Sequence, residues 1–160
     1  MWLKQKNLTS ALLRDWSLNT TITLSAGAPL TARVLGSVAD AGGSGATGSA
    51  RADASGLPVN GGDGYFNTAA FTTPPGNRYG NAGRNTIPGP GTFGMNASFG
   101  RYWQIGDSSR RRLDVRMEAE NILNHVNITG YGTVVNASNY GLATAAGQMR
   151  SIQLALRLRF

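Results

Sequence analysis

The last segment of the chain, residues 149–160, alternates strictly between apolar and polar or small side chains. Leu154, Leu156 and Leu158 fall on one face, and the residues between them fall on the other. An α-helix would repeat its apolar positions every three or four residues, so this period of two predicts a β-strand. Three further segments alternate in the same way, and the predicted strands are 12–35, 92–105, 110–123 and 149–160.

The predicted strands are long, and their connections alternate in length. Soluble strands usually run for about 5–6 residues, whereas a strand of about 9–11 residues crosses a bilayer. A tight turn is predicted at 106–109, and long loops rich in Gly, Asn, Ser, Thr and Ala are predicted at 36–91 and 126–148. Outer-membrane barrels have short periplasmic turns and long extracellular loops. The pattern therefore predicts an all-β chain of antiparallel transmembrane barrel strands, with an irregular fifth strand near residues 2–7.

Aromatic residues stand at one end of the predicted apolar faces. Trp16 begins the first strand, Trp103 lies near the end of the second, and Phe160 ends the last. With strands running alternately up and down, these positions share one rim, where aromatic rings favour the membrane–water interface. We predict a lipid-interface girdle, with Arg101 extending its charge to that interface. The alternative is a soluble sandwich in which the aromatic residues anchor a core.

The opposite face of the last two strands carries both signs of charge. Its residues are Arg112, Asp114, Arg116, Glu118, Glu120, Arg157 and Arg159. In a barrel this charged ladder lines the lumen, and opposite charges on neighbouring strands are expected to pair. In a soluble sheet the same ladder would be a solvated face.

Composition removes most enzymatic chemistries from consideration. The 160 residues contain no cysteine and one histidine, His125, so thiol catalysis, zinc–thiolate sites and histidine clusters are excluded. His125 is expected at a loop or rim, and Glu118 and Glu120 are expected to make structural ion pairs. We therefore predict no enzyme, no catalytic residue, no cofactor and no metal. The net charge of +7 is spread thinly, so we expect no nucleic-acid partner.

Several motifs, taken in order, resemble one family. They are LLRDWSLNTTITLSAGAPLTARV, RADASGLPV, GYFNTAAFTTPP, GNAGRNTIPGPG, RLDVRMEAENILNH and RSIQLALRLRF. Their order and spacing resemble the end of TonB-dependent outer-membrane receptors of the Oar-like kind, which carry a carboxypeptidase-regulatory-like domain at their N-terminus. The resemblance implies a bacterial outer-membrane barrel of about 22 strands with an N-terminal plug, which binds or imports bulky ligands with energy relayed by TonB. It also implies that Phe160 is an assembly signal read by the barrel-assembly machinery.

The chain departs from this family in its extent. Four or five strands cannot close a barrel, and an open edge cannot remain unsatisfied in lipid. We therefore expect 1–160 to be a single partial domain of a longer protein. Its expected partners are outer-membrane lipid, the barrel-assembly machinery and an unidentified transported ligand, with TonB engaged only through missing N-terminal parts. Two alternatives stay open: the terminal hairpins of another outer-membrane or adhesin β-protein, and a soluble basic β-module that binds polyanions.

Overall fold

A computed structural model describes residues 14–45, 47–76, 78–105 and 111–160. Four predicted strands or turns lie wholly or partly outside these residues. They are the strand near residues 2–7, the first two residues of strand 12–35, the turn at 106–109 and the first residue of strand 110–123. The described part of the chain forms strands β1 (Trp16–Leu30), β2 (Arg33–Gly36), β3 (Gly48–Arg51), β4 (Asp53–Ala54), β5 (Phe71–Thr72), β6 (Ile87–Gln104), β7 (Arg112–Glu120), β8 (Ile128–Tyr131), β9 (Ala143–Ala146) and β10 (Ser151–Arg159). Two short 3-10 turns, Ser37–Ala39 and Thr68–Ala70, complete the described elements.

The chain divides into two compact units. The sheet unit comprises the described residues of Met1–Thr23, Phe93–His125 and Gln148–Phe160, and the loop unit comprises those of Leu24–Thr92 and Val126–Gly147. Strands β1 and β6 each begin in one unit and end in the other. Within the described residues, no helix has the length and apolar character needed to cross a membrane.

The four long strands form one sheet in the order β1–β6–β7–β10. Strand β7 pairs antiparallel with β6 on one side and with β10 on the other. Leu113 of β7 lies opposite both Trp103 of β6 and Leu158 of β10, and Met117 lies opposite Phe99 and Leu154. Because side chains alternate between faces along each strand, this register places the apolar residues of these three strands on one face.

The largest differences between the observed and the predicted strand ends occur at two places. Predicted strand 12–35 ends at Leu30 as β1, and a separate short strand, β2, follows. Strand β6 begins five residues before the predicted start at residue 92, and it includes Pro88 and Pro90. Proline lacks the N–H that a central strand donates. The register with β7 covers only the Ala97–Gln104 part of β6, so neither proline interrupts that pairing.

Two glycines allow β1 and β6 to approach closely inside the loop unit. A Cβ atom added to Gly27 would overlap the backbone of Gly89 and Pro90, and one added to Gly89 would overlap the backbone of Ala28. Only a residue without a side chain fits such an approach. These two glycines therefore set the spacing of the two backbones here.

The predicted long loops fold into a unit with its own core. Six short strands form three two-stranded sheets there, which pair β2 with β3, β4 with β5, and β8 with β9. The buried residues are Ala32, Val34, Ala52, Phe66, Ala70, Phe71, Ala82 and Ile87. This differs from the prediction of loops without regular structure at 36–91 and 126–148. Strands of two to four residues are too short to show a hydrophobic period, and half of this core is alanine.

Candidate functional site

The predicted charged ladder lies on one face of the sheet unit. Along β7, the residues Arg112, Asp114, Arg116, Glu118 and Glu120 occupy every second position. On β10, Arg157 lies opposite Asp114, and Arg159 lies opposite Arg112. The register therefore places all seven predicted residues on the face opposite to Leu113 and Met117. That this face borders a lumen stays a prediction.

Ion pairs along this ladder run mainly within β7 and not between strands. Arg112 Nε lies 3.1 Å from Asp114 Oδ1, and Arg116 Nε lies 3.0 Å from Glu118 Oε1. The cross-strand contact is longer, with 3.9 Å between Arg159 Nε and Asp114 Oδ2.

The register explains why Arg116 pairs within its own strand. Its cross-strand neighbours are Ala155 and Gly100, which carry no charge. A carboxylate two residues along β7 is therefore the partner that the long guanidinium side chain reaches. Cross-strand pairing, which we expected along the ladder, occurs only at the Arg159–Asp114 contact among the described ion pairs.

Small residues of β6 leave a polar groove between β1 and β7. Gly100 lies opposite Arg116, and its backbone carbonyl accepts a hydrogen bond from Ser17 Oγ at 3.3 Å. Asn19 Nδ2 donates to Ser98 Oγ at 3.5 Å. The groove has a volume of about 470 Å³, and its polar lining includes Asp15, Ser17, Asn19, Tyr102, Asp114 and Arg116. Its mixture of amide, hydroxyl, carboxylate and guanidinium groups can bind polar ligands through many directed hydrogen bonds.

An aromatic cluster covers the other face of the same strands. The rings of Trp16 and Phe99 stack with centroids 4.4 Å apart, and Trp103 meets Trp16 edge-on at 6.4 Å. The guanidinium carbon of Arg101 lies 5.1 Å from the Trp16 centroid and 4.8 Å from the Trp103 centroid. The structure thus brings together two of the three predicted girdle residues.

The cluster has one member that the predicted girdle lacks. Phe99 lies on the predicted apolar face, and it is the ring that stacks on Trp16. Arg101 is in the predicted place next to the girdle, but its residue is only 8% exposed and its charge lies against the two indole rings. Cation–π attraction explains this placement, since the ring faces carry negative electrostatic potential.

Phe160 lies at the same end of the sheet but outside the cluster. It follows β10, two residues beyond Leu158, which is level with Leu113 and Trp103. Its residue is 95% exposed. Its roles in a lipid-interface girdle and in assembly stay predictions.

A turn centred on Asn121 was not foreseen from the sequence. Asn121 has a φ of 48°, and its backbone N–H donates to Asn96 Oδ1 at 3.0 Å. Its Nδ2 donates to the carbonyls of His125 and Gln148 at 2.9 and 3.1 Å, and its Oδ1 accepts from the His125 N–H. Asparagine is among the few residues that tolerate positive φ, and this is the one signal the sequence offered. His125 therefore takes part in a structural turn, with its ring 5.7 Å from that of Phe93.

Asp53 is the main buried polar residue of the loop unit. It forms an ion pair with Arg78, and its Oδ1 accepts the backbone N–H of Asn81 at 2.9 Å. Asn81 Oδ1 in turn accepts the N–H of Ala54 at 2.8 Å. These contacts fix the segment around Asn81 against β4. Among the described residues, no group of three or more His, Asp and Glu side chains could hold a metal ion.

Three side chains of the loop unit have perturbed acidity. Burial raises the pKa of Tyr140 to about 12, and its hydroxyl donates to the Thr68 carbonyl at 3.1 Å. Burial also raises the pKa of Tyr65, whose ring stacks on Tyr131 at 4.1 Å. The backbone N–H of Ser44, followed by that of Gly45, lowers the pKa of Asp40 by hydrogen bonding to its carboxylate.

Comparison with known proteins gives the family. A family model described as an outer membrane beta barrel domain matches residues 1–153. The chain belongs to this family, and its location is the bacterial outer membrane. No curated protein and no solved structure matches the chain. The prediction of an all-β outer-membrane protein with antiparallel strands is confirmed, while the family description names no transported ligand.

Proposed function

We propose that the four-stranded sheet is part of the barrel wall of a TonB-dependent receptor, which binds a bulky ligand and takes it across the outer membrane. The observation that carries the proposal is the register of β6, β7 and β10. It keeps the apolar residues of three strands on one face and the charged ladder on the other. A barrel with a polar interior needs this division of its wall.

The apolar face suits contact with lipid. Leu154 and Leu156 of β10 are each 68% exposed, and Ile152 and Leu158 are each 58% exposed. A soluble protein rarely leaves so many aligned large apolar side chains in water. In a membrane the same face meets hydrocarbon, and the charged ladder then faces the barrel interior. Membership of the outer-membrane family removes the alternative of a soluble basic β-module.

The receptor type is supported by the resemblance of six ordered sequence motifs to Oar-like receptors. The polar groove between β1 and β7 adds a surface that can face a plug or a passing ligand. The second candidate function is a barrel or adhesin of another type. The division of the sheet into an apolar face and a charged face favours this candidate equally, because that division is not particular to receptors.

Binding to TonB tests the receptor type. The complete gene product, with any N-terminal parts through which TonB would engage it, is extracted from outer membranes in non-ionic detergent and passed over the immobilised periplasmic domain of TonB. We expect retention that excess free TonB domain abolishes. A known TonB-dependent receptor from the same membranes serves as the positive control. If that receptor is retained and this protein is not, the second candidate function replaces the first.

A separate experiment with cysteine variants tests which face of the sheet contacts lipid. Single cysteines can be introduced cleanly because the chain contains no cysteine. Met117→Cys and Glu118→Cys change neighbouring residues on opposite faces of β7. In lipid vesicles, a water-soluble maleimide is expected to label Glu118→Cys, while Met117→Cys is protected. A fluorophore at position 117, but not at 118, should be quenched by nitroxide-labelled lipid. The reverse pattern would turn the charged ladder toward lipid and contradict the proposal.

A further inference from the structure

Three exposed arginines of the loop unit line one open surface cavity. It has a volume of about 430 Å³, and Arg33, Arg51 and Arg84 contribute to its lining together with Thr31 and Thr133. The described residues of the loop unit contain one further arginine, Arg78, and three aspartates. None of those aspartates lines the cavity. Three of four cations and none of the anions therefore surround the same space.

The strand register makes this arrangement unfavourable without a counter-charge. Arg33 of β2 lies directly opposite Arg51 of β3. Side chains at directly opposed positions are about 5 Å apart at Cβ, and like charges there destabilise the pair. A neutral or acidic residue at either position would remove the repulsion. An anion bound between the two guanidinium groups would offset the same repulsion.

Hydrogen bonds hold the chain at or next to each of the three arginines. Arg33 donates its N–H to the Thr133 carbonyl at 2.9 Å and accepts the Val135 N–H at 2.8 Å. Arg51 Nη1 donates to the Ala82 carbonyl at 3.2 Å. Arg84 precedes Asn85, whose N–H donates to Thr31 Oγ1 at 2.8 Å. The Arg51 guanidinium is therefore held by a hydrogen bond, and Arg33 and Arg84 stand on or next to backbone that is hydrogen-bonded to other segments.

We propose that this cavity is a binding site for a compact polyanion that carries phosphate groups. A planar carboxylate matches a single guanidinium fork, whereas a tetrahedral phosphate presents oxygens in several directions. The three arginines line the cavity from β2, from β3 and from the turn at residue 84. This arrangement suits the tetrahedral phosphate better than the planar carboxylate. Two linked phosphates would supply the charge that balances three guanidinium groups. The site lies in the loop unit and does not depend on the proposed receptor function.

Pyrophosphate is the probe that tests the site. The complete gene product, extracted from outer membranes in non-ionic detergent, is titrated with pyrophosphate and with succinate by isothermal calorimetry at low salt. We expect pyrophosphate to bind more tightly than succinate, with an affinity that falls as salt is added. No heat of binding with pyrophosphate would overturn the proposal. Equal affinity for succinate would overturn the assignment to phosphate.

Matched variants locate the binding. Arg84→Gln is expected to lower the affinity for pyrophosphate about tenfold, because one charge-assisted hydrogen-bonding group is lost. Arg84→Lys keeps the positive charge but loses the planar guanidinium group. Its affinity for pyrophosphate should lie between that of the parent and that of Arg84→Gln. Arg150→Gln removes the same charge from an exposed residue of the sheet unit and should change the affinity less than twofold. An equal loss in Arg84→Gln and Arg150→Gln would show non-specific attraction and contradict the site.

A second arm separates a lipid headgroup from a free phosphorylated solute as the source of the phosphate. The chain is reconstituted in phosphatidylcholine bilayers with or without phosphatidic acid. If headgroups occupy the site, phosphatidic acid should weaken pyrophosphate binding severalfold in the parent. Arg84→Gln, which already binds weakly, should then show no such difference. If phosphatidic acid has no effect on the parent, the site takes a soluble ligand.

Discussion

The guanidinium carbon of Arg101 lies 4.8 Å from the centroid of the Trp103 ring, on the apolar face of the sheet. A charge on a lipid-facing surface is costly unless it lies near the interface or is shielded. Here two indole rings cover the charge, and the residue is 8% exposed. The aromatic cluster therefore stabilises an arginine as well as packing against its own members.

Removing one ring of this cluster should destabilise the sheet. Trp16→Leu loses the stack on Phe99, the edge contact with Trp103 and one of the two rings over Arg101. We expect a loss of about 1–3 kcal/mol in the free energy of unfolding, measured by urea in lipid vesicles. Ile22→Leu, a volume-conserving change on the same strand, should cost clearly less. Equal losses would mean that the contacts of the Trp16 ring add nothing measurable to the stability of the sheet.

Neighbouring residues of β10 should respond in opposite ways to the same substitution. Leu154 lies opposite Met117 on the apolar face, and Gln153 lies opposite Glu118 on the charged ladder. Leu154→Arg should cost about 2–4 kcal/mol where the strand crosses the middle of the bilayer. Gln153→Arg places the new charge beside Glu118 and should be nearly neutral.

The heat-modifiable electrophoretic mobility of folded barrel protein measures both variants. Leu158→Arg, nearer the end of β10, should cost less than Leu154→Arg because the penalty declines toward the interface. A similar folded fraction for Leu154→Arg and Gln153→Arg would argue against a lipid-facing Leu154.

Asp53 should hold the loop unit together more strongly than other aspartates do. Asp53→Asn removes the charge that pairs with Arg78 and weakens the acceptor for the Asn81 N–H. Because Arg78 is about half exposed, we expect a local loss of about 1–2 kcal/mol. Faster hydrogen exchange at the Asn81 amide measures it. Asp63→Asn, the same change at an exposed residue, should leave that exchange rate unaltered.

Alkaline conditions should weaken the loop unit through Tyr140. The folded state raises the pKa of this phenol from 10.0 to about 12, so the folded state keeps a proton that the unfolded state loses. By linkage, the stability of the unit is unaffected below pH 10 and declines between pH 10 and about 12. Tyr140→Phe loses the hydrogen bond to Thr68 and should make this decline shallower, while Tyr65, whose pKa is also raised by burial, accounts for what remains.

Denaturant unfolding at a series of alkaline pH values measures the decline. Tyr79→Phe, at a residue that is 73% exposed, is the control and should keep the pH dependence of the parent. If Tyr140→Phe declines as steeply as the parent, another group is responsible.

The long strands were predictable because each repeats the period of two over nine residues or more. In β7 and β10 the alternation places every large apolar residue on one face, and the observed register preserves this. The start of β6 was not predictable, because Pro88 and Pro90 are read as strand breakers and their tolerance depends on where β7 pairs.

The face of the sheet on which a side chain lies was easier to predict from the sequence than the residue that it contacts. The sequence places Arg116 and Glu118 on one face, but their pairing depends on the uncharged neighbours Gly100 and Ala155 across the strands. The core of the loop unit escaped prediction for a different reason. Ala52 and Ala82 meet only through long-range contacts, such as the hydrogen bond from the Ala82 N–H to the Ala52 carbonyl at 2.9 Å. No local pattern encodes such a contact.

The close approach of β1 and β6 at Gly27 and Gly89 has a consequence for how the sequence can vary. A single methyl group at either position would act as a wedge between two backbones, and neither strand has a flexible side chain there that could move aside. Surface segments usually accept substitutions freely. Only glycine fits at these two positions. They therefore restrict which sequences this surface part of the chain can adopt, although most positions there accept substitutions.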